Sequence, residues 1–78
     1  MTIRYMGGEW EVFLGDDGTL DTVVRVERVR TREERQFRYD QEYAAEWRKP
    51  TGEMTRKGLR ELGKESIEQW LETEEDET

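Results

Sequence analysis

Cysteine, histidine and asparagine are absent from this 78-residue chain, serine and proline occur once each, and lysine only three times. No disulfide, Cys/His zinc site, cysteine nucleophile or imidazole-dependent triad can be built from such a set. Long apolar runs are missing too, so neither a signal peptide nor a membrane span is expected. The default reading is a soluble cytoplasmic protein. Leu, Ile, Val and Phe number only 14, and with a net charge of -7 that scarcity meets the compositional description of a disordered chain. Three Trp and three Tyr oppose it, because large rings can supply much of a small core. A folded but thinly stabilised domain is expected over residues 1 to 71, with self-association as one way to support it.

The clearest local pattern is in residues 9 to 26. Trp10, Val12 and Leu14 alternate with Glu9, Glu11 and Phe13, as in a strand with one buried face. Asp16, Asp17 and Gly18 read as a three-residue hairpin loop with Gly18 in the left-handed conformation. That loop sets Leu14 opposite Leu20, Val12 opposite Thr22 and Trp10 opposite Val24. A two-residue loop would oppose Trp10 to Arg25 and spoil the apolar face. The Asp16, Asp17 and Asp21 carboxylates lack the alternate-position spacing of a calcium loop, so no metal site and no cofactor is expected.

Before the hairpin, Ile3 and Tyr5 alternate into Gly7-Gly8, which predicts a short strand bending at a glycine bulge. Residues 27 to 30 extend the second hairpin strand, and Thr31 to Glu34 form a polar junction. Phe37, Tyr39, Gln41 and Tyr43 then read as a further strand. A helix over 32 to 48 is the alternative, favoured by Thr31 and Glu34 at capping-box spacing, but it would turn Phe37 away from Tyr39, Tyr43 and Trp47. Lys49-Pro50-Thr51-Gly52 is a turn on either reading.

Thr55 can cap a helix to about residue 71, with Leu59, Leu62, Ile67, Trp70 and Leu71 along one stripe. Gly63 either permits close packing or breaks that helix, Ser66 and Gln69 then having the spacing to restart it. Residues 72 to 78 hold no apolar side chain and are expected to form a disordered acidic tail. The fold class is thus α+β: an antiparallel meander of three to four strands, residues 2 to 43, packed by one C-terminal helix.

Charge is segregated along the chain. Residues 1 to 24 carry one base against five acids; residues 25 to 64 carry twelve bases against eight acids; residues 65 to 78 carry seven acids and no base. An acidic, lysine-poor composition suits high salt, although Arg over Lys also follows from nucleotide bias. The basic middle interleaves aromatics with cations, as single-strand binders do, so Arg28, Arg30, Arg38, Arg48 and Lys57 are the candidates for nucleic-acid contact. A net charge of -7 opposes that reading. Glu33-Glu34 and Asp16-Asp17 could act as acid and base only with an apolar pocket around one carboxyl, and both pairs fall in expected turns. The favoured expectation is a non-catalytic protein that binds another protein, or itself, through its sheet edge or an aromatic face, with Phe37, Arg38, Tyr39 and Trp47 as contacts.

Overall fold

Two consecutive residues with positive φ, Met6 (51°) and Gly7 (77°), start the fold. Such a pair forms the tight turn whose twist matches that of the strands it joins, so β1 (Thr2–Tyr5) returns directly as β2 (Gly8–Gly15), with Tyr5 opposite Gly8. The expected glycine bulge is replaced by this two-residue turn. The computed structural model describes residues 1–15 and 21–76. Its sheet continues with β3 (Thr22–Arg28) and β4 (Glu33–Tyr39), ordered β1-β2-β3-β4 and antiparallel throughout.

The β2–β3 register differs from the expected one. Trp10 lies opposite Arg28, Val12 opposite Val26 and Leu14 opposite Val24, a slide of four residues. Side chains alternate with period two, so a four-residue slide leaves every side chain on its expected face and alternation cannot detect it. What distinguishes the two registers is packing. The observed one opposes two buried valines, Val12 and Val26, and lays the Arg28 guanidinium 4.9 Å from the Trp10 ring. The Asp16-Asp17-Gly18 turn itself lies outside the described residues.

β3 stops at Arg28 rather than running to residue 30, because Arg32 (φ 66°) closes a short connection in which its N–H donates to the Arg28 carbonyl at 2.8 Å. β4 then forms where a strand was expected, but it ends at Tyr39 and the meander spans residues 2 to 39. Asp40 turns the chain by accepting from the N–H of Glu42, which places Gln41 and Tyr43 on the short helix α1 (Gln41–Ala44). Residues 32 to 48 therefore divide between the two readings, strand first and helix second. A 3-10 turn, Ala45–Trp47, follows. Lys49-Pro50-Thr51-Gly52 is the expected turn, with Gly52 at φ 95° and its N–H donating to the Lys49 carbonyl at 2.8 Å.

Helix α2 (Arg56–Asp76) starts where the Thr55 hydroxyl accepts from the N–H of Gly58 at 2.9 Å. It is unbroken at Gly63. A Cβ there would lie 2.8 and 2.9 Å from the Val12 methyls, so the glycine is the point at which helix and sheet meet. Ser66 restarts nothing; buried, it donates to the Leu62 carbonyl and meets the Tyr39 hydroxyl at 2.7 Å. The core between layers holds Trp10, Val12, Val24, Val26, Leu62, Ile67 and Trp70, with the two indoles edge to face at 5.3 Å.

The acidic run expected to be loose from Glu72 is helical through Asp76. Glu74 shows why: one of its carboxylate oxygens accepts from the Trp70 indole at 2.7 Å and from Arg28 at 2.8 Å. The Arg28 guanidinium lies in turn between Trp10 (4.9 Å) and Trp70 (5.7 Å). Charge that composition assigns to solvent is here recruited to close one end of the core. Among the described residues no helix is long and apolar enough to cross a membrane.

Candidate interaction surface

The strand pairing divides the side chains between two faces. Ile3, Trp10, Val12, Val24, Val26, Phe37 and Tyr39 point toward α2, while Thr2, Arg4, Glu9, Glu11, Phe13, Arg25, Glu27, Glu34, Gln36 and Arg38 point to the open side. The open face is a lattice of charges. Arg25 pairs with Glu34 at 3.3 Å, Arg32 with Glu27 at 3.3 Å and Arg38 with Asp21 at 3.7 Å. Arg25 also sits 5.4 Å from the ring of half-exposed Phe13. Each such surface pair contributes little to stability. Their effect is on what can approach, since the face carries both signs: Glu11, Glu27 and Glu34 stand opposite one another in one row across β2, β3 and β4, with Arg25 and Arg38 in the rows beyond it.

Which backbone groups remain available follows from the hydrogen bonds at the start of the sheet. Met1 and Val12 exchange both of their bonds, each 2.8 Å long. In an antiparallel ladder, bonded and non-bonded residues alternate, so Gly8, Trp10 and Val12 bond to β1 while Glu9, Glu11 and Phe13 bond to β3. The 3.2 Å bond from Val29 N–H to the Glu9 carbonyl agrees. On β3, Thr22, Val24, Val26 and Arg28 then bond to their partners Tyr39, Phe37, Arg35 and Glu33. Glu34 and Gln36, between those partners, direct their N–H and C=O groups away from the sheet. Among the described residues β4 has no second strand neighbour.

The four aromatic and basic side chains expected to make partner contacts do not share a surface. Tyr39 is a core residue, 7% exposed, its hydroxyl bonded to Ser66 and Gln69. Burial is the main cause that pushes its pKa up to about 12. Phe37 is half-buried on the α2 side, and Trp47 packs on Gly58, where an added Cβ would be 2.3 Å from that of the indole residue. Only Arg38 of the four faces the open side. The rings supply core, as their spacing on a leucine-poor chain implied, and the backbone edge beside them is the more accessible feature. Sequence patterning carries no signal for that edge, because it follows from strand order and bonding parity rather than side-chain type.

The nucleic-acid candidates are dispersed as well. Arg28 is held by the two tryptophans and Glu74, and Arg30 lies in the neighbouring turn. Arg38 stands about 17 Å further along the strands, five residues at ~3.3 Å each. Arg48 donates to the Gly52 carbonyl at 2.6 Å and the Thr22 hydroxyl at 2.9 Å, and Lys57 is in the first turn of α2. Arg28 and Arg30 thus lie at one end of the strands and Arg38 and Arg48 at the other, with Arg48 reaching Thr22 on the α2 side and Arg38 on the open side.

Among the described residues two recesses gather near the β1–β2 turn, the more enclosed, of about 500 Å³, lying between Gly8 to Trp10 and Arg28, Arg30 and Thr31. The other, of about 610 Å³, lies over the turn itself, bordered by Arg4, Tyr5, Met6, Gly7, Gly8 and Glu9, and it opens widely to solvent. Along α2, two further tyrosines turn onto acidic residues of this chain, Tyr5 donating to Glu68 and Tyr43 to Glu65. These bonds to carboxylates are the first cause raising both phenol pKa values. Asp16 and Asp17 lie outside the described residues, and Asp21 is the partner of Arg38. The fold and its surface define a small antiparallel meander roofed by one helix, with one long strand edge. Beyond that class, no family model, curated protein or solved structure matches the chain.

Proposed function

We propose that this chain is a non-catalytic cytoplasmic interaction or accessory module that engages an extended stretch of polypeptide along the outer edge of β4. The observation that carries the reading is that edge. Seven residues, Glu33–Tyr39, run without proline or bulge, with outward-directed backbone groups at Glu34 and Gln36. Natural sheets protect such edges by shortening, kinking, covering or charging them; β4 uses only the last, with Glu33, Glu34, Arg35 and Arg38, so its edge is long and regular and open to an added strand of complementary charge. Its open side carries one acid, Glu34, and one base, Arg38, on either side of Gln36, which favours a partner of mixed charge over a uniformly charged polymer such as nucleic acid.

The test is selection from a phage-displayed random peptide library on the immobilised full chain. Extended peptides of mixed charge are expected to enrich, and one synthesised from the winners should slow amide exchange at Glu34 and Gln36. Failure to enrich, or protection mapping to another element, refutes the reading. Retention on heparin that falls steeply with salt would favour the nucleic-acid alternative instead.

A further inference from the structure

We infer that the partner on this edge is β4 of a second copy, paired antiparallel about a two-fold axis at Gln36 to give a continuous eight-stranded sheet. The inference rests on the edge reading above and adds the occupant.

The argument is one of register. Antiparallel pairing across an edge sets outward-bonding residues opposite one another, so even-numbered residues of β4 must face even-numbered residues of the other copy. With the axis at Gln36, Glu34 lies opposite Arg38 of the second copy, Arg35 opposite Phe37, and Glu33 opposite Tyr39. Of the other two-fold registers that align several residues, only an axis at Phe37 opposes no like charges within β4 itself, and it pairs five strand residues where the axis at Gln36 pairs all seven. An axis at Glu34 or Arg38 sets that residue against itself, one at Arg35 opposes two arginines, and one at Phe37 brings Glu34 to Asp40. Like charges directly opposite destabilise a strand pair, whereas opposite charges and arginine against an aromatic ring support it.

The charges already placed on the open face extend this pattern. Glu34 is bound by Arg25 at 3.3 Å and Arg38 by Asp21 at 3.7 Å within one chain. Joining two copies links these pairs into a row, Arg25, Glu34, Arg38 and Asp21, with sign alternating across the junction and repeated by the two-fold axis. On the other face, Arg35 lies over Trp70 at 4.7 Å and would meet Phe37 of the second copy. Two seven-residue edges bury less than the roughly 1,200 Å² of a standard interface, so the dimer is expected to be weak and concentration-dependent.

The experiment is sedimentation equilibrium on the full chain, on Glu34→Arg, on Arg38→Glu, and on the two variants mixed in equal amounts, with circular dichroism checking that each is folded. The wild type should dimerise as concentration rises. Each variant alone sets like charges together twice across the axis and should dimerise at least about tenfold more weakly. In the mixture every such contact is opposite in sign again, so dimer should return, which lost folding could not produce. A wild type monomeric up to about 1 mM overturns the proposal, as do single variants that dimerise unchanged or a mixture that recovers nothing. If the wild type stays monomeric while selected peptides protect Glu34 and Gln36, only the second copy as occupant is refuted and the edge reading survives.

Discussion

Replacing Gly63 by alanine opposes two effects of known size. Alanine is the better helix former by about 1 kcal/mol, and Gly63 lies in the interior of a 21-residue helix. On propensity alone the variant would be more stable. The added Cβ, however, falls 2.8 and 2.9 Å from the two Val12 methyls, well inside contact distance. Val12 is fully buried and its β-branched side chain has little rotamer freedom, so the strain passes to the strand or helix backbone. Overpacking of this kind costs about 1 to 3 kcal/mol. Sterics should therefore win, with a net loss of about 1 to 2 kcal/mol. In a domain of this size that lowers the melting temperature by roughly 4 to 15 °C. Urea unfolding followed by tryptophan fluorescence reads the difference, Trp10 and Trp70 both being buried. Val12→Ala makes the test specific. Alone it should destabilise by leaving a cavity, but combined with Gly63→Ala it should lose at least about 1 kcal/mol less than the sum. A Gly63→Ala protein as stable as the wild type, or strictly additive losses, would refute the close approach of α2 to β2.

Gly58→Ala should be more damaging still, by about 3 kcal/mol or more, because the new Cβ would lie 2.3 Å from Cβ of Trp47; thermal melts will show it. Tyr39→Phe removes a buried hydroxyl bonded to Ser66 and Gln69 and should cost about 1 to 2 kcal/mol near neutral pH. Its pH dependence has a definite sign. The folded state holds the Tyr39 phenol neutral up to about 12 against 10.0 for the unfolded chain, so its contribution is complete below about 10 and is lost as pH rises toward 12. Unfolding measured on both sides of pH ~10 should fall less steeply in Tyr39→Phe than in the wild type, although Tyr5 and Tyr43 add to the alkaline loss in both. Glu74→Ala leaves the Arg28 guanidinium and the Trp70 indole without their shared acceptor; a loss of about 1 to 2 kcal/mol and a drop in helical ellipticity are expected, and unchanged values would return the acidic run to the solvent.

Much of the architecture is legible from residue order. Alternation at Trp10 and Val12, and at Phe37 and Tyr39, marks strands with a buried side, and the Leu59 to Leu71 stripe marks the helix that covers them, whereas Leu14, expected on the same buried face, is 43% exposed. Pro50 and Gly52 locate the turn between the two halves. Less legible is the end of β4. Asp40 ends the strand by capping a helix only four residues long, too short to show a helical period against the continuing alternation at Gln41 and Tyr43. The candidate surface is the least legible part. Aromatic rings among arginines look the same whether they bind a partner or fill a core, and only burial assigns Tyr39 to the core.

By itself, the order of residues determined which side chains share a face, because strand and helix periods are local properties of the backbone. It determined that the rings must do the work of missing aliphatics, since little else is available to bury. Tertiary structure alone decided the β2–β3 register, because a four-residue slide conserves both faces and only long-range packing distinguishes Val26 from Thr22 opposite Val12. The same holds for Gly63 against Val12, and for Arg28 and Glu74 closing the tryptophan pair across 46 residues of chain. Contacts between distant segments depend on how whole elements seat against one another, and no local period encodes that seating.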